Sequence, residues 1–138
     1  MDKMQLPPDV EFYKDNHLLI WRPRGLLNNT AVNTIITVLG ELEVALEEPF
    51  NRFLDTVAAD AVDLNFEYII RVSLYRRQVY SKRPPIKSAI FATDSTLIHY
   101  GKVHALLTQG SPIKARVFQD PPEAAAWLGV PLELLAPG

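Results

Sequence analysis

Cysteine is absent from the 138 residues, so a disulfide framework, a thiolate metal site and a cysteine nucleophile are all excluded. No apolar run approaches the ~18 residues of a membrane-crossing helix. The start, MDKMQLPPDVEF, lacks the basic-then-apolar order of a secretory signal. P-loop, GxGxxG, GxSxG and HExxH patterns are missing as well, which removes the common phosphate-cradling, dinucleotide, acyl-transfer and zinc-hydrolase chemistries. The expectation is a cytoplasmic protein that is not an enzyme and carries no cofactor and no metal.

What is present has ordinary globular proportions. Apolar residues make up 48% and charged residues 22%, which argues against disorder. The length suits one domain that buries roughly two thirds of its extended-chain surface. Net charge is −2, but residues 1–67 carry 5 basic and 12 acidic groups while residues 68–138 carry 9 basic and 4 acidic. Two surfaces of one compact domain explain this asymmetry better than a nucleic-acid face, since the acidic half would repel a polyanion. Arg71, Arg76, Arg77, Lys82 and Arg83, interleaved with Tyr75 and Tyr80, form the only cluster of single-strand-binding type. Cations complementing a helix C-terminus account for it more simply, so no nucleic-acid partner is expected.

Along the chain, 10–15 and 17–24 read as short aromatic and β-branched strands of a hairpin, with residues 1–9 loosely attached before them. Asn28, Asn29 and Thr30 offer caps to a helix whose apolar positions Val32, Ile35, Ile36, Leu39, Leu42 and Leu46 form one arc, broken by Pro49. A strand over 50–57 follows. Asp63 or Asn65 caps a helix over 66–81 that ends at Pro84 and Pro85. Then come a strand over 86–93, a helix over 95–109 closed by Gly110, a half-exposed strand over 112–118, and a short helix opened by Pro121 and Pro122. The order β-β-α-β-α-β-α-β-α predicts a single α/β domain over 10–138 with a mixed, mostly parallel sheet and helices packed on it.

Together with LD at the end of the third strand, the helix start VDLNFEY, the PPIK entry to the fourth strand and the closing IKARVFQD and AAAWLGV, this order resembles the stand-alone STAS-like proteins. These are small bacterial domains, mostly uncharacterised, on the fold of the anti-sigma-factor antagonists, and the resemblance spans about 10–131. It implies an interaction or regulatory module rather than a reaction. In the antagonists a serine of an Asp-Ser turn is phosphorylated by a partner kinase. Here the matching LDTVAADAVDLN has Asp55 but no serine, and Thr56 is its only hydroxyl and sole candidate phospho-acceptor. Asp60 and Asp63 would oppose a phosphate there, so the turn reads as structural.

Three further groups were candidates for chemistry. His99 and His104 are five apart on one helix and diverge by about 140°, too far to share a metal, and His104 reads as a hydrogen-bonded core residue. His17, in the hairpin turn, has no evident partner. Asp94, Ser95 and Thr96 follow a strand as ligand loops of parallel sheets do, although capping alone explains them. On the 66–81 helix, Phe66, Ile69, Ile70, Ser73 and Leu74 form the arc expected to cover the sheet. Tyr68, Val72, Tyr75 and Val79 form a second stripe, flanked by Arg71 and Arg76, that suits a twofold homodimer. The reading is therefore a regulatory interaction module, then a small-ligand or lipid-binding module at the carboxyl end of the sheet, and third a weak nucleic-acid binder. A deep apolar cavity reached from the 55–63 and 93–97 loops would favour the second.

Overall fold

The computed structural model describes residues 6–136. β1 (Val10–Tyr13) and β2 (Leu18–Trp21) form the expected hairpin, with Val10 opposite Trp21 and Tyr13 opposite Leu18. All four residues of β2 are buried, because the strand lies inside the sheet and pairs on its other side with β4 (Asn51–Asp55). The strand expected over 17–24 stops at Trp21. Pro23 cannot donate to a ladder, and Arg22 turns its side chain to other work.

Two short strands escaped the sequence reading. β3 (Gly25–Asn28) pairs in parallel with β5 (Ala59–Asp63), the stretch expected to be a turn, in a separate two-stranded sheet. Neither has an apolar period of its own, and each becomes a strand only because the other lies beside it.

α1 (Asn29–Ala45) starts at Asn28, whose side chain accepts the Ala31 N–H at 2.9 Å, and it buries Ile35, Val38, Leu39 and Leu42. α2 (Phe66–Val79) is capped by Asn65, not Asp63, which is the last residue of β5. β6 (Ile86–Phe91), α3 (Ser95–Leu107), β7 (Ile113–Phe118) and α4 (Pro121–Leu128) follow in the expected order. One more turn of helix, α5 (Leu132–Leu135), was not foreseen. The five-stranded sheet has the order β1-β2-β4-β6-β7, with only β1 antiparallel.

The sheet's two faces bury different partners. Leu19 and Trp21 pack with Ile35, Val38, Leu39 and Leu42 of α1, and α2 and α3 lie on this same side. Leu18, Ile20, Phe53 and Ala89 pack with Ala124, Ala125 and Leu128 of α4 and Leu135 of α5. This is the period-2 alternation of a sheet covered on both faces. Residues 1–5 of the segment expected to be loose lie outside the described residues, but 6–9 are tied down. Leu6 joins the α1-side core, and Asp9 accepts the Trp21 indole N–H at 3.0 Å.

α3 approaches the sheet closely at Gly101, where a Cβ would sit 2.7 Å from Val117 Cγ2 and 3.5 Å from Ile90 Cγ2. Alanine there gains about 1 kcal/mol of helix propensity but overpacks against a stiff β-branched side chain, at about 1–3 kcal/mol. Gly101→Ala should therefore destabilise by about 1 kcal/mol in urea unfolding. A more stable variant would show that Val117 moves aside freely.

Candidate functional site

Between α1, α2, α3 and the sheet lies a cavity of about 130 Å³. Its cause is the side chains that α2 turns inward. Facing the sheet are Ile69, Val72, Ser73 and Arg76, while the bulky Phe66, Leu74 and Tyr75 are 47, 48 and 56% exposed. The helix is thus rotated from the expected phase, in which Phe66 and Leu74 would have filled this space. Hydrogen bonds hold the rotation. Tyr68 is buried and its hydroxyl donates to Asn33 Oδ1 at 2.7 Å and lies 3.1 Å from Asn29 O, both on α1. At the far end Tyr80 is buried against Glu43 of α1, donating to its carboxylate at 2.6 Å.

The same rotation divides the residues of the dimer stripe. Tyr68 and Val72 face inward and only Tyr75 and Val79 of the four remain exposed, so they do not form one outer face. The basic cluster is divided too. Arg77 donates to Leu107 O at 3.1 Å and Gln109 O at 2.6 Å, satisfying carbonyls at the end of α3, and Arg83 pairs with Glu43 at 3.0 Å.

The cavity walls are mainly apolar, with Trp21, Ile36, Leu39, Leu64 and Leu97 among them, and they extend to Thr56 and Leu97 at the carboxyl end of the sheet. Their polar part is built by Arg52, Arg76, Ser73, Ser88 and His104. Ser73 Oγ donates its one proton to Ile69 O at 2.7 Å, so the 2.8 Å contact with His104 is a donation from Nδ1 of the ring. Burial, and secondarily the Arg76 charge, lower the His104 pKa to about 3, so the imidazole is neutral at physiological pH. Burial likewise pushes the Arg76 guanidinium down.

The other sequence candidates lie elsewhere. Thr56 follows β4 in a short 3-10 turn, buried, and its hydroxyl donates to Phe91 O at 2.7 Å. Asp55 is buried against Arg22 at 2.9 Å and accepts the Val57 N–H at 3.1 Å. Asp94 caps α3 by accepting the Leu97 N–H at 3.1 Å, and Asp94 and Thr96 line a neighbouring pocket of about 440 Å³ with residues 59–62, which shares Thr56, Leu64 and Leu97 with the cavity. His99 stacks on Phe66 and His17 pairs with Glu48, so neither approaches His104. Among the described residues no three His, Asp or Glu side chains converge as a metal would need, and no helix is long and apolar enough to cross a membrane. Of the cavity's arginines, Arg76 reads in the sequence as one of the cations complementing the end of its helix, and Arg52, on β4, goes unmarked because no local pattern signals a buried charge within a strand.

No protein-family model matches this sequence, and no curated protein does. Among solved structures, the chain is similar to an uncharacterised protein of the DUF3478 family with a SpoIIAA-like fold from Shewanella loihica. The two share 18% identity over 86% of this chain and 90% of that one, with a TM-score of 0.52. The chain therefore has the SpoIIAA-like, or STAS, fold that its order of elements resembles.

Proposed function

We propose that this is a non-enzymatic, cytoplasmic binding module that encloses a small, largely apolar molecule beneath α2. The observation that carries this reading is the unfilled cavity itself, because cores pack to crystal-like density and a void of this size costs stability. An engineered apolar cavity of about 150 Å³ accepts benzene, so the 130 Å³ here suits a body of about six or seven carbons. A long acyl chain is too large for it. The hydroxyl protons of Ser73 and Thr56 are committed to Ile69 O and Phe91 O and His104 is held neutral, which supports binding over catalysis.

A regulatory role fits as the consequence of binding. An occupied cavity stabilises the α1-α2-α3 face, and a partner that reads this face would respond. A symmetric dimer through α2 is not part of this reading, since Val72 of its stripe lines the cavity and Tyr68 is buried against α1.

The test uses 1-hexanol and benzyl alcohol as neutral probes. Each should raise the melting temperature saturably, by several degrees at concentrations well above Kd, and Val72→Phe, which fills the cavity, should abolish the rise. No response to either probe, or an equal response in Val72→Phe, defeats the reading.

A further inference from the structure

The cavity's polar wall has too much positive charge for the acids around it. Among the described residues Glu43, beside the cavity, is the one carboxylate paired with its arginines, and it is already engaged by Arg52, by Arg83 at 3.0 Å and by the Tyr80 hydroxyl at 2.6 and 2.8 Å, while Glu47 and Glu48 line the neighbouring pocket with Arg52 and Arg83. Arg52 is 4% exposed and spends only Nη2 on Glu43, leaving Nε and Nη1 buried without partners. Arg76 forms no ion pair among the described residues, and its Nη2 is also buried without a partner. Both guanidinium carbons lie close to the Tyr80 ring, at 5.5 and 5.2 Å from its centre, and both residues line the same cavity. His104, held neutral, adds no further positive charge. Buried arginine hydrogens without acceptors are costly, and a buried cation without its counter-ion more so.

We propose that the ligand of this cavity is a small monocarboxylate, whose acid group is held by Arg52 and Arg76 and whose apolar body fills the space toward Leu64 and Leu97. This rests on the binding reading above. The planar fork of arginine matches two carboxylate oxygens, and the unpartnered Nε and Nη1 of Arg52 and Nη2 of Arg76 on one cavity wall offer donors for both of them. One acid group returns the cluster of Arg52, Arg76, Arg83 and Glu43 closer to neutrality. The remaining wall is too apolar and the volume too small for a sugar phosphate or nucleotide. Arg52 also keeps its ion pair with Glu43 on binding, so the site needs no rearrangement of α1.

The experiment titrates the full chain with hexanoate and benzoate, beside 1-hexanol and benzyl alcohol, at pH 7.5 by calorimetry. Each acid should bind at least tenfold more tightly than its alcohol. Arg76→Met keeps the apolar stem and removes the charge. It should bring acid affinity down to that of the alcohol, leave alcohol affinity within about twofold, and raise the melting temperature of the empty protein by relieving the unpaired cation. Arg76→Lys should retain part of the preference for the acid. If alcohols bind as well as acids, or if Arg76→Met leaves acid binding unchanged, the carboxylate assignment is overturned while the binding reading stands. If no probe binds, both fall. A melting temperature for Arg76→Met below wild type would also count against the assignment, because it would mean that Arg76 already has its counter-ion.

Discussion

Arg22→Met is expected to cost about 3–5 kcal/mol, the effect of removing one partner from a buried, hydrogen-bonded ion pair. Arg22 is 5% exposed at the end of β2 and joins three parts of the fold. Nη1 donates to Asp55 Oδ2 at 2.9 Å and to Leu135 O at 3.0 Å, and Nη2 donates to Ala136 O at 3.0 Å and Leu134 O at 3.3 Å. The guanidinium thus serves as the C-terminal cap of α5, whose last carbonyls have no partner within so short a helix. Methionine would leave Asp55 as a buried lone charge and three carbonyls without donors. The melting temperature should fall by about 10 °C or more, with amide exchange in 132–136 rising most. The double variant Arg22→Met/Asp55→Asn should recover part of the loss, because it removes the stranded charge. A loss below 1 kcal/mol, or no recovery in the double variant, would mean that water replaces the arginine.

The second large effect is a pH dependence carried by His104. Its folded pKa, about 3, lies below the unfolded value near 6.5. Below pH 6.5 the unfolded chain binds a proton there that the native state does not. Stability contributed by the neutral ring is therefore complete above pH 6.5 and lost as pH falls toward 3. From 7.5 to 5.0 the loss is about 2 kcal/mol from this residue alone. His104→Gln keeps a donor for Ser73 and cannot titrate, so the variant's stability should be flatter over that window by about the same amount. Urea unfolding of both proteins at four or five pH values measures this difference, and carboxylate effects common to both cancel. Parallel pH curves would show that His104 is solvated in the folded protein.

The order of elements was legible in the sequence because its signals are local. Capping by Asn28, Asn65 and Asp94, prolines that close or open helices, and the alternation of β7 all act within a few residues. These determined the α/β class and the SpoIIAA-like topology. The tertiary structure alone decided the rest. β3 and β5 are strands only through each other, across a long stretch of chain. The rotation of α2 is decided by Tyr68 and Tyr80 reaching α1, and no periodicity within 66–79 encodes a bond to Asn33 or Glu43. That rotation sends Phe66 and Leu74 to the surface, draws Val72 and Arg76 inward, and leaves the cavity. A sequence shows which faces a helix has. Which of two comparable faces is buried depends on the summed contacts of every neighbouring element, and those exist only once the chain has folded.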